Sequence, residues 1–213
     1  MNKAESVAVG IFVGILCPLL TFILGWWSTA VLAISQVLPI PDRVIAIAAF
    51  TGLGVGLVLD ALYWKKWIAH FYDADVRFMV LVYLLCSIMA VASFMGLPLG
   101  NLVVGMLAGV YVGRRQHHAG RSAESFPIPA RKVSVFTALV TGLEALAIGL
   151  LVLGEGIVAE LIQQTVGLEK SVITDLVSIG LILLLSLILM VIQFWCTRTA
   201  AWFAFGRGGK RVA

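Results

Sequence analysis

The chain has little charge for its length. Asp, Glu, Lys and Arg make up 12% of its 213 residues, whereas 61% of the residues are hydrophobic. A soluble domain carries about 25% charged residues, so this composition excludes a soluble globular fold. Apolar runs longer than about 18 residues recur along the whole length, which indicates membrane-spanning helices. The length leaves room for one membrane domain covering residues 1–213.

The chain also lacks the residue groups that catalysis and metal binding need. Its three cysteines are isolated, and no CxxC spacing joins them. The HExxH, Gly-x-Ser-x-Gly and phosphate-loop patterns are absent. The three histidines all fall in predicted loops, away from the membrane interior. We therefore predict that the protein is not an enzyme and has no cofactor or metal site.

Six segments of the sequence are apolar enough to be predicted spans. They cover approximately residues 6–27, 41–64, 77–95, 98–113, 133–153 and 171–196. The predicted fold is an all-α integral membrane protein, a bundle of six transmembrane helices. Residues 28–40 either extend the first helix or lie in the outer interface. An amphipathic helix on the outer face is predicted at 154–170, and an interfacial segment with a basic tail at 200–211.

The basic residues predict the orientation. With six spans, 13 of the 15 lysines and arginines fall on one side, and only Arg43 and Lys170 fall on the other. Because basic residues accumulate in cytoplasmic loops, both termini are predicted to be cytoplasmic. The predicted location is the inner or plasma membrane of a prokaryotic cell. The net charge of +4 thus reflects topology, and we predict no nucleic-acid partner.

Glu144 is the only charged residue in the apolar run 133–153. It follows Ser134 by ten residues, or roughly 15 Å of helix, which places it near the middle of a core about 30 Å thick. A carboxyl group at that depth costs several kcal/mol unless it is neutral, paired or hydrated. Glu144 either binds a cation, a proton or a polar solute, or is a protonated structural acid hydrogen-bonded to Asn101, a threonine or the backbone.

Polar side chains lie on stripes of the later helices. Thr137, Thr141 and Glu144 share one face of the fifth helix, and Asn101 begins a stripe on the fourth. The sixth helix carries its own polar set, namely Asp175, Ser178, Ser186 and Gln193. Lipid penalises polar groups on the outside of a bundle. We therefore expect these stripes to converge on an interior cavity lined by the second, fourth, fifth and sixth helices.

Glycines at four-residue spacing mark two further faces. Gly105, Gly109 and Gly113 follow Asn101 on the fourth helix. Gly52 and Gly56 form a similar stripe on the second helix, and Asp60 is the next residue on it. Such stripes let another helix approach closely, either as ordinary packing or beside a translocation path. Asp60 is a further candidate polar contact, or it pairs with the neighbouring Lys65 and Lys66.

The overall plan resembles a known class of transporter subunit. Six spans in about 200 residues, both termini inside and small residues on the first helix (Ala4, Ala8, Gly10 and Gly14) are similar to the substrate-capture subunits of energy-coupling-factor vitamin transporters. The resemblance covers architecture only. It implies that the small residues of the first helix dock to a partner subunit, and it assigns no binding residue.

The leading functional prediction is a small transport or solute-binding membrane protein. Its main polar contact is Glu144, supported by Asn101, Thr137, Thr141 and Asp60. The predicted substrate is a cation, a proton-coupled solute or a small polar molecule. Besides the lipid bilayer, a second copy or a partner membrane subunit is expected. The alternatives are a non-transporting scaffold that packs through its glycine faces and, less favoured, an enzyme acting on lipid.

Overall fold

The described part of the chain is all helical. The computed structural model describes residues 1, 3–36, 38–94, 98–153 and 175–206. The helices are α1 (Lys3–Ile34), α2 (Asp42–Ala69), α3 (Val76–Ser93), α4 (Gly100–His118), α5 (Pro127–Leu153) and α6 (Asp175–Gly206), with a short 3-10 helix at Phe71–Asp73. These residues contain no strand. The predicted all-α class is confirmed.

Five of the six helices are long and apolar enough to cross a membrane, and α4 is the exception. The last turn of α4 carries Arg115, His117 and His118, with Arg114 just before them. The apolar part, 100–113, is therefore only about 14 residues or roughly 21 Å long, shorter than a core of about 30 Å. The membrane character of the protein is supported, while a sixth crossing and the orientation remain predictions.

Several helices run past the apolar segments that mark them in the sequence. α1 continues to Ile34, so the first half of the 28–40 segment extends the first helix. α6 continues to Gly206, so the predicted interfacial segment after residue 200 begins as the end of that helix. α5 begins at Pro127, a residue suited to a first helical turn. Hydropathy marks the hydrocarbon boundary, whereas a helix ends where capping or proline stops it. The predicted 154–170 helix lies outside the described residues.

The helices form two compact units, Met1–Asp75 and Val76–Ala213. In the first unit α1 and α2 pack along each other. The Tyr72 hydroxyl donates a hydrogen bond to Glu5 over 2.8 Å, which ties the residues after α2 to the start of α1. In the second unit α4 and α5 both pack along α6, and α3 lies beside α4.

The second unit is polar inside and apolar outside. The largest of its fully buried side chains are polar, namely Ser87, Asn101, Ser134, Thr137, Thr141, Gln193 and Thr197, together with the apolar Phe126. In contrast, Leu143, Leu151 and Leu176 are 63%, 76% and 80% exposed. In a water-soluble protein, the leucine side chains would be buried and the polar side chains exposed. Lipid solvates leucine as well as a protein core does, so the polar groups collect between the helices.

Glycine contacts bring α4 and α6 together at the backbone. The α4 stripe Gly105, Gly109 and Gly113 is buried against α6. A Cβ atom on Gly109 would collide with the carbonyl oxygen of Thr197, and one on Gly113 with that of Ala201. The absence of side chains at these positions therefore sets the separation of the two helices.

Glycines also allow close backbone contact between α1 and α2 in the first unit. A Cβ atom on Gly52 would collide with the carbonyl oxygen of Thr21. One on Gly56 would lie 2.5 Å from the Cα atom of Pro18. Both glycine stripes that the sequence shows therefore face a helix of the same chain.

Gly109→Ala is expected to destabilise the protein by about 1–3 kcal/mol, because the added methyl group must push α4 away from α6. Thermal unfolding of the detergent-solubilised protein measures the change. Gly180→Ala is the matched control, since a Cβ atom there meets nothing within 4 Å. It is expected to leave stability unchanged or slightly raised. Equal losses for the two variants would contradict the close α4–α6 contact.

Candidate functional site

Two neutral side chains from different helices hold the carboxyl group of Glu144. The Ser87 hydroxyl on α3 donates to Glu144 Oε2 over 2.9 Å, and the Asn101 amide on α4 donates to the same oxygen. No basic side chain in the described part of the chain pairs with Glu144. Glu144 is half-buried, so the helices do not enclose it completely.

Ser87 and Asn101 in turn need Glu144 as their hydrogen-bond acceptor. Ser87 and Asn101 are both fully buried. A buried hydroxyl or amide without a partner costs about 1–3 kcal/mol. Glu144 supplies that partner from α5, so one carboxyl oxygen links three helices.

Other oxygens around the acid are buried without a hydrogen-bond partner. Tyr83 on α3 lies beside Ser87, Thr141 and Glu144, but its hydroxyl makes no hydrogen bond of good geometry. Asn101 Oδ1 and Thr141 Oγ1 also lack a partner among the described residues. Because buried polar atoms are nearly always paired, each of these needs an explanation. We refer to Tyr83, Ser87, Asn101, Thr141 and Glu144 as the Glu144 cluster.

A second polar layer lies one helical turn away. The hydroxyls of Thr137 on α5 and Thr197 on α6 are 2.9 Å apart, and Gln193 donates to Thr197 over 2.9 Å. Gly105 makes room for this layer, because a Cβ atom there would collide with the Gln193 amide. The Gln193 Oε1 atom is buried without a partner among the described residues. We call Thr137, Gln193 and Thr197 the Gln193 layer.

The two groups are adjacent along two helices. Thr137 precedes Thr141 by four residues on α5, and Gly105 follows Asn101 by four residues on α4. Four residues are about one turn, so the Gln193 layer continues the Glu144 cluster by roughly 6 Å. A polar face therefore extends along the interior of the second unit.

The structure brings together most of the residues that the sequence analysis singled out. Asn101 contacts Glu144 directly, Thr141 lies in the same cluster, and Thr137 lies in the adjacent layer. Asp60 belongs to the first unit and is buried between α1 and α2. The second helix, which the sequence predicts to line this site, is likewise part of the first unit, and the donors to Glu144 come from α3 and α4.

Three participants carry only weak signals in the sequence. Tyr83 and Ser87 lie four residues apart on α3, so they share a face, and that spacing is the one available signal. Thr197 falls just beyond the predicted end of the sixth span, because Arg198 marks that end in the sequence. Hydroxyl residues are common in apolar helices, so neither signal identifies a site without the packing.

The Glu144 cluster offers oxygen atoms as ligands, and Glu144 is its one acidic residue. No group of three His, Cys, Asp or Glu side chains placed to hold a metal occurs in the residues that the structure describes. The resemblance to vitamin-capture subunits stays a prediction about architecture. No protein-family model, curated protein or solved structure matches this chain.

Proposed function

We propose that the chain is a small transport or solute-binding membrane protein whose Glu144 cluster binds a cation. The observation that carries this proposal is that two neutral donors, and no basic side chain in the described residues, hold Glu144. A carboxylate in the membrane without a counter-charge costs several kcal/mol. A bound cation removes that cost, whereas a neutral or anionic solute does not.

The unpartnered atoms specify the kind of cation. Asn101 Oδ1, Thr141 Oγ1 and the Tyr83 hydroxyl can all accept, and Glu144 adds one negative charge. Oxygen ligands suit hard cations or an ammonium group. One carboxyl group balances one positive charge. The substrate class that fits best is therefore a monovalent cation or a small protonated amine.

The surroundings of the acid are suited to exchange of a ligand. Glu144 is half-buried, so part of its side chain lies outside the contacts between the described helices. The Gln193 layer supplies hydroxyl and amide oxygens about one turn further along. A cation leaving Glu144 thus meets the next polar group within a short step. This continuity favours transport over a static structural role.

The glycine-rich faces that motivate the scaffold alternative are occupied within the chain. That alternative requires glycine-rich faces that are open to other proteins. These faces instead contact helices of the same chain. Gly52 and Gly56 contact α1, Gly10 and Gly14 contact Trp64 of α2, and the glycines of α4 contact α6, namely Gly105, Gly109 and Gly113. The lipid-acting enzyme rests on Asp60 facing headgroups, and Asp60 is buried. The hydrogen bond from the fully buried Asn101 is also what a structural role for Glu144 predicts, so the response of Glu144→Gln to cations separates the two roles.

Orientation and partners complete the proposal. Cytoplasmic termini in a prokaryotic plasma membrane rest on the uneven distribution of lysine and arginine. Assembly with a second copy or a partner subunit stays a proposal, and for the partner subunit it rests on the resemblance to substrate-capture subunits, which dock through small residues of the first helix. Neither affects the chemistry proposed for Glu144.

Thermal unfolding in the presence of cations tests the proposed function. The purified protein is titrated with sodium, potassium or ammonium chloride, with N-methylglucamine, which is too bulky for the site, holding the ionic strength constant. At least one of the three cations is expected to stabilise the folded protein, by about 2.7 kcal/mol at a hundredfold excess over its Kd. Identical unfolding in all of the salts would overturn the proposal.

A further inference from the structure

Asp60 is a second intramembrane acid with no counter-charge. Its side chain is 6% exposed, and its Oδ1 atom has no hydrogen-bond partner among the described residues. Lys65 and Lys66, one turn further along α2, are exposed. The lysine pairing considered for Asp60 from the sequence is therefore absent from the described structure.

The acid faces the proline of α1. A Cβ atom on Gly56, one turn before Asp60, would lie 3.0 Å from the ring nitrogen of Pro18. One turn after Asp60, the Trp64 ring packs against Gly14. Because Asp60 lies between these two contacts, it is level with the stretch of α1 between Gly14 and Pro18.

In that stretch, the Gly14 carbonyl oxygen cannot accept the usual helical hydrogen bond from the residue four positions later. Proline has no N–H group, so Pro18 cannot donate to the carbonyl oxygen of Gly14, four residues earlier. Thr21 has the nearest hydroxyl on α1, and it donates to the carbonyl oxygens of Cys17 and Pro18 over 3.0 and 3.1 Å. The Gly14 carbonyl oxygen thus lacks its donor at the level of Asp60 along α1.

Among the described side chains, the donor next to Asp60 is a weak one that is shared with a second acceptor. The Cys17 thiol lies beside the Asp60 carboxyl group, and it also contacts the Gly56 carbonyl oxygen at 3.7 Å. A thiol has one hydrogen and is a poor donor. The surroundings of Asp60 therefore hold more oxygen acceptors than donors, together with one negative charge.

We propose that Asp60 and the Gly14 carbonyl oxygen form a second intramembrane cation site that binds sodium. A carboxylate beside backbone carbonyls that a helix irregularity has released is an arrangement that coordinates sodium in membrane transporters. The single charge and the oxygen ligands match a monovalent hard cation. The proposal rests on the first unit alone and is independent of Glu144.

Binding of radioactive sodium tests this site in isolation. Full-length Glu144→Gln protein is used as the background, so that any signal from the Glu144 cluster is removed, and 22Na⁺ binding is measured by scintillation proximity. This background is expected to bind sodium. Adding Asp60→Asn is expected to weaken binding at least about a hundredfold, since even groups behind the ligands contribute about 10–100-fold to metal affinity.

Pro18→Ala in the same background separates a binding site from a structural acid. Alanine restores an N–H group for the Gly14 carbonyl and leaves Asp60 in place, so sodium affinity is expected to fall about tenfold. An acid that only stabilises the fold would show no such loss. Asp42→Asn, at an exposed acid of α2, is the matched control and is expected to bind normally.

Three results would overturn the sodium site. They are the absence of 22Na⁺ binding in the Glu144→Gln protein, retention of binding after Asp60→Asn, and unchanged affinity after Pro18→Ala. If Asp60→Asn fails to fold, the Pro18→Ala result decides, because that change favours helix formation and keeps the acid.

Discussion

Glu144→Gln is expected to abolish the cation-dependent stabilisation of the Asp60→Asn protein, which lacks the second acid, while leaving it folded. Glutamine has nearly the same size, and its amide oxygen still accepts hydrogen bonds from Ser87 and Asn101. It has no charge to balance a cation. The gain of about 2.7 kcal/mol at a hundredfold excess of cation over Kd should therefore fall to zero.

The same substitution is expected to leave the ligand-free protein stable. Without a cation, the described residues hold Glu144 through neutral donors, and glutamine in its place cannot carry a charge. The ligand-free variant is therefore expected to be at least as stable as the natural protein. An acid retained only to bond Ser87 and Asn101 would leave the response to cations unchanged, because glutamine still accepts both hydrogen bonds.

The test is made in an Asp60→Asn background, so that the second acid contributes nothing to the response. Glu124→Gln is the matched control, because Glu124 is an exposed acid in the loop between α4 and α5. It should leave the cation response intact. A full response in Glu144→Gln, or an equal loss in both variants, would contradict a role for Glu144 in binding.

Phe126→Ala is expected to cause the largest loss of stability in the second unit, about 3–5 kcal/mol. The Phe126 ring is fully buried at the start of α5. It stacks on Phe205 with the ring centroids 4.1 Å apart and contacts Trp202 edge-on at 4.9 Å. These rings fasten α5 to the end of α6, and alanine would leave a cavity between the two helices.

Phe78→Ala is the control for this loss. Phe78 lies on α3 and is 57% exposed, so lipid or detergent surrounds it both in the folded protein and in separated helices. Its replacement should change the thermal unfolding midpoint very little. If both variants lose stability equally, the aromatic contacts of Phe126 do not hold α5 and α6 together.

The sequence predicts which residues are unusual better than it predicts which residues meet. Glu144 stands out because it is the only charge in an apolar run, and Asn101 because a glycine stripe follows it. The sequence analysis names Asn101 as one possible partner of Glu144, but the choice among the possible partners depends on the packing of α4 with α5, which no local pattern encodes. Ser87 completes the site from a helix that the sequence does not connect with Glu144.

Asp60 shows why proximity in the sequence can mislead. Two lysines lie one turn away on the same helix, which favours an exposed ion pair. The structure buries the acid because Gly52 and Gly56 let α1 approach α2 so closely. The glycines are visible in the sequence, but the helix that fills their groove is not, so the burial of Asp60 could not be predicted.

Thallium is the most direct probe of the Glu144 cluster, since it replaces potassium or ammonium and scatters X-rays anomalously. Crystals of the Asp60→Asn protein grown in a thallium salt are expected to show an anomalous peak touching the Glu144 carboxyl group and Asn101 Oδ1. The peak should be absent from crystals that also carry Glu144→Gln. An acyl chain or a close-packed apolar side chain against Glu144, with no anomalous peak, would contradict cation binding at this site.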